Sequence, residues 1–432
     1  MESLALLLLL ALPLPDPPAP PPPALCFAPG TPLADIEAVT FSGGDPGTSL
    51  DLPQPGLGLK YQLFTSPFDR WTSTATNGGG LSQGSPTTLT WSYVPDGTSI
   101  PSNPSLAGDA TGPSNLFAWL NGLYGNFNTW HAFFVQVFDR WSQISGITYV
   151  YQPSDDGAAF PQSGVSSGAS GALGVRGDVR ISARTLGGPS GVLAFNFSPN
   201  SGDMVIDSAD GYFNTTTNNS IRLRNTLGHE HGHGLGFTHS CPDDDTKLME
   251  PAISTNFDGP QLDDLLAVQR QYGDPLENND SSGAATILPG SSALVEGIAL
   301  DDNGDVDFFR FSVGSATQVT ARAIPTGATY LEGPQVGASC SAGTSFNTLT
   351  LNDLGVALLD TNGSTVLATS NVNPAGQAES VTFALPAAGD YYVRVFAGGL
   401  NTVQAYRLEV GDVIFADGFE SGDTSAWSTV VP

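Results

Sequence analysis

The feature that most constrains this chain is the run HEHGHGLGFTH at 229–239, which holds four of its five histidines. His229 and His233 are four apart, so a helix stacks them on one face, where two imidazoles can share a metal ion. Gly236 follows at the natural place for the chain to leave that helix through a positive φ. The turn then brings in His239 as a third ligand. Three neutral imidazoles with a free fourth position describe an open zinc site of the catalytic kind. Glu230 adjoins the first ligand but is turned by about 100° around the helix, where it reaches a water at the metal without ligating. That is the position a general base needs. His231 falls on the opposite face and reads as structural or solvent-facing.

Composition narrows what the rest of the chain does. Forty-two acidic residues against 14 basic ones give a net charge of −28, yet only 13% of the 432 residues are charged. The acidity therefore comes from missing Lys and Arg, with Lys60 and Lys247 the sole lysines. No basic stripe for nucleic acid can be assembled, and an anionic membrane surface would repel the chain. Gly (51) and Pro (33) are abundant enough to imply many short strands and turns. Three cysteines, Cys26, Cys241 and Cys340, are too few for a disulfide scaffold. A single Cys241–Cys340 bridge is open to them, with the unbridged state the default expectation.

Residues 4–12, LALLLLLAL, are too short to span a bilayer, and eight prolines between Pro13 and Pro23 forbid a longer helix. The run has the length of a signal-peptide core, although Glu2 replaces the usual positive charge. The expected organisation is a signal peptide or Pro-rich leader at 1–25 and a linker or short pro-segment at 26–69. A first domain then covers 70–273, a polar linker 274–286, a β-sandwich 287–411 and a tail 412–432. Apolar spacing predicts a helix at about 128–144 through Trp130, Phe133, Phe134, Val137 and Trp141, the histidine helix at about 220–235, and a third at 261–273 stopped by Gly273. Short strands are expected at 146–151, 178–183, 192–197 and 203–208. Beyond 286, alternating segments such as DFFRFSV and YYVRVFA carry no helical period and read as sandwich strands.

Ten residues past His239, the segment LMEP (248–251) supplies Met249. An HExxHxxGxxH pattern followed by such a methionine resembles the metzincin pattern. Ser240 after the third histidine, with Gly232, Leu235 and LMEP, is similar to the matrixin family, which includes matrix metalloproteases and their bacterial relatives. TLTWSYVPDGT, the 128–144 helix and QLDDLLAVQRQYG extend the likeness over about 70–273.

The resemblance implies an α+β metzincin catalytic domain, a twisted and mostly parallel sheet with three helices. It implies one catalytic zinc on His229, His233 and His239, Glu230 as general base, and Met249 as an apolar floor beneath the zinc. VLAFNF (192–197) would be the edge along which an extended substrate pairs, and PAISTNFDG (251–259) would wall the primary pocket. Family calcium positions fall on Asp178 and Asp203, and more weakly on Asp207 and Asp210. The stretch 185–199 lacks the histidine of a second, structural zinc, and no cysteine-switch motif surrounds Cys26.

Residues 276–411 resemble the bacterial pre-peptidase C-terminal domain, through ENNDSSGAATIL, GDVDFFRFSV and AGDYYVRVFAGG. Within it, the acidic run DDNGDVD (301–307) is a further calcium candidate or a plain turn. Together these imply a secreted bacterial zinc endopeptidase. Its expected partners are protein or peptide substrates, without nucleic acid, without a stable membrane span, and as a monomer. The competing reading is a non-catalytic adhesion or matrix-binding protein that works through the β-sandwich.

Overall fold

The computed structural model describes residues 24–27 and 70–411, apart from 104–105, 107, 160–170, 188–190, 303, 337–338 and 399–400. The expected signal-peptide core, residues 28–69 and the tail 412–432 lie outside the described residues.

The first half is built on one mixed sheet of six strands: β1 (Ala24–Phe27), β2 (Thr87–Tyr93), β3 (Ile147–Tyr151), β4 (Val179–Arg184), β5 (Val192–Asn196) and β6 (Met204–Asp207). Their spatial order is β1-β5-β6-β4-β2-β3. β3, β2, β4 and β6 run parallel to one another, and β5 turns back antiparallel to β6. β4, β5 and β6 are buried along their whole length, as expected of strands covered on both faces.

Four helices flank the sheet: α1 (Leu116–Tyr124), α2 (Phe127–Gln143), α3 (Thr217–Gly234) and α4 (Leu262–Tyr272). α1 is an addition to the three expected. Its LFAWLNGLY reads as an undifferentiated apolar run, and its entry is set from afar by Asp96, whose carboxylate accepts from the N–H groups of Phe117 and Ala118. α2 follows its sequence signal closely. Asn126 caps it by accepting from Thr129 N–H, and Trp130, Phe133, Phe134, Val137, Phe138 and Trp141 form its buried face. Each fully buried side chain of that size contributes about 1.5–3 kcal/mol before entropy is charged against it. α3 begins with a left-handed stretch, Asn218 to Ser220 at φ 51° to 56°, before its regular turns.

β1 was not expected. It adds to the outer edge of β5, antiparallel, with Leu25 opposite Phe195 and Cys26 opposite Ala194. Edge pairing of this kind uses backbone groups and needs no side-chain pattern, so periodicity gives no warning of it.

The second half packs two antiparallel sheets face to face. Its strands include β8 (Ala293–Leu300), β9 (Val306–Val313), β10 (Thr317–Pro325), β14 (Asp353–Leu359), β15 (Val366–Ser370), β16 (Glu379–Leu385), β17 (Gly389–Gly398) and β18 (Gln404–Gly411). One sheet is β9-β17-β14-β15 with Thr286–Ile287 beside β9, and the other is β8-β18-β10-β16. Phe309, Phe311, Val356, Val393 and Val395 from the first meet Ile298, Val319, Val381 and Leu408 from the second in one core.

Between β10 and β14 the chain leaves the sandwich as β11 (Thr329–Val336), β12 (Ser339–Cys340) and β13 (Thr344–Asn347). β11 reaches the first half and pairs with β7 (Ser240–Cys241), and a Cys241–Cys340 disulfide seals the contact. The bridged state replaces the unbridged default. α4 makes the junction broader: Ala267, Val268 and Tyr272 belong to the first core, while Leu266 packs with Ala299, Phe346, Leu351 and Val403 of the second half. The polar stretch 274–286 is likewise no loose tether, since Asp274 accepts from Ala299 N–H and Asn279 is fully buried, its carbonyl accepting from Phe308 N–H.

Candidate metal centre

α3 carries His229 and His233 one turn apart, and the chain exits at Gly236 with φ +104°. Phe237 N–H bonds back to Gly232 C=O, which closes the turn and swings His239 under the helix end. The three Nε2 atoms converge, with separations of 3.1 Å between His229 and His233 and 3.2 Å from each to His239. Each ring is fixed through its other nitrogen. Nδ1 lies 2.7 Å from Leu248 C=O in His229, 2.7 Å from Phe237 C=O in His233, and 2.7 Å from Gln335 Oε1 in His239. A carbonyl can only accept, so Nδ1 bears the proton and Nε2 presents a lone pair. Burial pushes His229 down to about 3, and His239 to about 4 against the bond to Gln335, so the lone pairs stay available at neutral pH.

Three lone pairs facing one another cannot hydrogen-bond among themselves. They can share a cation: tetrahedral bonds of about 2.0–2.1 Å place nitrogens about 3.3 Å apart, close to the observed triangle. The donor set therefore fits zinc.

The rest of the run is shaped around these rings. Gly232, between the two helical histidines, faces Met249, and a Cβ added there would lie 2.4 Å from the Met249 sulfur. Met249 is fully buried beneath the helix. Glu230 is fully buried on the same helix. His231 is buried as well, which excludes the solvent-facing alternative: its Nε2 is 2.7 Å from Tyr149 OH and its ring packs edge-on against Phe138.

Two carboxylates missed by sequence reasoning hold the methionine segment. Asp264 accepts from Gln261, Leu248 and Met249 N–H, so the cap of α4 is also the brace of the turn. Burial, with the nearby Asp263 charge, pushes Asp264 up to about 7 against those three bonds. Glu250 accepts from the N–H groups of Asp244, Asp245, Thr246 and Lys247, and so orders the loop after Ser240. Its signal was an acid directly after Met249, which spacing rules for metal ligands do not read.

Residues 174–273 match the model of the family described as matrixin, and residues 305–397 that of the bacterial pre-peptidase C-terminal domain. The chain carries a matrixin domain. Behind it stands a pre-peptidase C-terminal domain. Among solved structures, the pre-peptidase C-terminal domain of a collagenase from Bacillus anthracis is 20% identical, covering 29% of this chain and 93% of that one at a TM-score of 0.20. PliG of Aeromonas hydrophila, a periplasmic inhibitor of g-type lysozyme, is 11% identical, covering 29% and 94% at a TM-score of 0.18. Scores so low carry no argument. No curated protein matches the chain.

Among the described residues, the calcium positions suggested for the matrixin domain do not form a convergent group of three carboxylates. Asp178 accepts from Ala75 N–H, Thr90 N–H and Thr90 OH, and ties the start of the domain to β2. Asp203 accepts from Arg180 N–H and is pushed up to about 8 by burial. Asp207 accepts from Leu186 and Ala209 N–H, and Asp210 caps the 3-10 turn Gly211–Asn214. Among the described residues, the acidic group that does converge is Glu277, Asp280 and Asp305, at the start of the second half. Burial first, then neighbouring carboxylates, raise Glu277 to about 9, Asp305 to about 8 and Asp301 to about 7.

Proposed function

We propose that the chain is a secreted bacterial zinc endopeptidase whose catalytic unit spans about 70–273 and whose sandwich spans about 287–411, acting as a monomer on extracellular proteins or peptides. The observation that carries this reading is the convergence of three Nδ1-locked imidazoles on one point, at 3.1–3.2 Å between Nε2 atoms, inside a matrixin domain. His229, His233 and His239 would hold the ion. Zinc there would polarise the scissile carbonyl and lower the pKa of a water to about 7.

The chain's own residues supply the proton traffic and the alignment. Glu230 accepts the proton of the attacking water and hands it to the leaving amine. Met249, with no polar atom to compete, floors the imidazoles and fixes their height. β5 offers its outer edge to an extended peptide through backbone hydrogen bonds. That Ala24–Phe27 already pairs there supports the use of this edge by an extended strand, and a substrate would compete with that strand for the same groups. The segment 251–259, tied to α3 by Asn225 donating to the carbonyls of Ser254 and Phe257, would wall the primary pocket.

Calcium belongs to the reading as a structural ion. Crowded carboxylates such as Glu277, Asp280 and Asp305 suit it better than the scattered aspartates of the first half. No helix of the described residues is long and apolar enough to cross a membrane.

Digestion of an unrelated protein, with and without a zinc chelator, tests the reading. Cleavage should stop with chelation, return with added zinc, and be lost in Glu230→Ala. Cleavage that persists in the variant refutes Glu230 as base. No cleavage by wild type, with sandwich-dependent binding to matrix proteins, favours the adhesion reading.

A further inference from the structure

Two of the three imidazoles are fixed by carbonyls of the matrixin domain's own backbone, Leu248 and Phe237. The third is fixed by a side chain 96 residues away, Gln335 on β11. The register makes this placement unavoidable. β7 and β11 pair antiparallel with Ser240 opposite Pro334 and Cys241 opposite Gly333, so the next position sets His239 beside Gln335. On its other side Gln335 is opposite Cys340, the residue bridged to Cys241. Around it, Ser240 OH donates to Glu332 at 2.8 Å and Tyr330 OH donates to Asp263 at 2.7 Å. The strand bearing Gln335 is thus clamped by a disulfide, a two-residue ladder and two side-chain bonds, one buried and one partly buried.

We infer that Gln335 is a positioning residue of the metal centre: its amide oxygen accepts the Nδ1 proton of His239, holds that imidazole in the ligating tautomer and orientation, and makes the centre a joint product of the matrixin domain and the C-terminal half. The inference rests on the zinc reading given above. With His239 Nε2 ligating zinc beside the other two Nε2 atoms, the ring proton is left on Nδ1, so the amide must present its oxygen. Outer-shell acceptors of this kind are worth about 10–100-fold in metal affinity. A consequence follows for the second half of the chain. A cut within 274–286 would leave the two parts joined by Cys241–Cys340 with Gln335 still in place, so the C-terminal half is not a detachable appendage of this enzyme.

The test uses the full chain with Gln335→Met, which keeps length and removes the acceptor, and Gln335→Glu, which restores an acceptor oxygen. Zinc affinity is read by competition against a chromophoric chelator, and the visible spectrum of the cobalt(II)-loaded chain reports ligand geometry. Circular dichroism and thiol titration verify that both variants are folded and bridged. Gln335→Met should bind zinc about 10–100-fold more weakly and show a shifted cobalt spectrum, with Gln335→Glu close to wild type in both. Wild-type affinity and spectrum in Gln335→Met would overturn the role of Gln335 while leaving the zinc centre standing. Equal losses in both variants would assign Gln335 a merely structural part and also overturn it. A wild-type chain that takes up no zinc would overturn the underlying reading together with this inference.

Discussion

Two clusters among the described residues could take a metal ion, and they answer the absence of a ligand in opposite ways. His229, His233 and His239 are neutral, and each ring is tied through Nδ1 to its own acceptor. Nothing repels strongly when such a site is empty, so its geometry is preorganised by the protein. Glu277, Asp280 and Asp305 bring like charges together, and Glu277 and Asp305, with Asp301 nearby, hold protons far above the ordinary carboxylate range. Such a cluster is costly without a cation or protons. On the function proposed above, the two sites would use metal differently: the first would position an ion for chemistry, and the second would use one to neutralise its own carboxylates.

The largest effect should come from separating chemistry from metal binding at the histidine cluster. Glu230→Gln keeps the side chain's size and is expected to lower kcat by about 10²–10⁴-fold while zinc content stays stoichiometric. Loss of zinc along with activity would show that Glu230 supports the site in place of acting on the water.

Next in size is the clamp. Cys340→Ser removes a cross-link between residues 99 apart, for which chain entropy predicts a loss of about 4–5 kcal/mol and measured cases about 2–5. Thermal unfolding without reductant should show it. An unchanged midpoint would mean that α4 and β11 alone hold the halves together.

The acidic cluster gives the pH test. Glu277 sits at about 9 in the fold against about 4.3 in the unfolded chain, so the folded state binds the extra proton. Stability in a calcium-free buffer should therefore be fullest below about pH 4 as far as this group is concerned, and decline as pH rises toward about 9. Calcium should flatten that decline. At about a hundred times its Kd it adds about 2.7 kcal/mol, which at about 2–4 °C per kcal/mol raises the midpoint by about 5–10 °C. A calcium-free midpoint level from pH 5 to 9, unmoved by calcium, would remove the contrast between the two sites.

How legible each site was in sequence follows from the same contrast. The histidines are a local pattern: helix geometry alone brings His229 and His233 together, and Gly236 announces the turn that delivers His239. α2 and α4 were legible for the same reason, one from an apolar stripe, the other from its run up to Gly273. Aspartates in turns, by contrast, look alike in sequence whether they ligate an ion or cap a backbone, and Asp178, Asp203, Asp207 and Asp210 are taken up by N–H groups. The acidic cluster joins the 277–280 turn to Asp305, across a strand that periodicity cannot register against its neighbours. Gln335 and β1 are invisible, and the Cys241–Cys340 pairing was named but left undecided, for the further reason that each depends on which edge a distant strand selects.

The smallest effect probes how tightly the histidine cluster is floored. In an exposed helix, glycine to alanine gains up to about 1 kcal/mol from backbone entropy. At Gly232 the new methyl would lie 2.4 Å from Met249 Sδ, inside any tolerable contact, and a tight 3.1 Å from its Cε. Met249 is fully buried and its N–H is held by Asp264, so the sulfur can yield by changing rotamer but the turn cannot retreat. Gly232→Ala should therefore lose about 1–2 kcal/mol net, as overpacking of about 1–3 kcal/mol outweighs the propensity gain. Adding Met249→Ala to it should restore part of the loss, since the cavity left by the methionine accepts the methyl. Non-additivity of that sign in a double-mutant cycle would locate the coupling in the contact itself. A single variant as stable as wild type would show instead that the floor is soft, and that the two clusters differ less in rigidity than their hydrogen bonds imply.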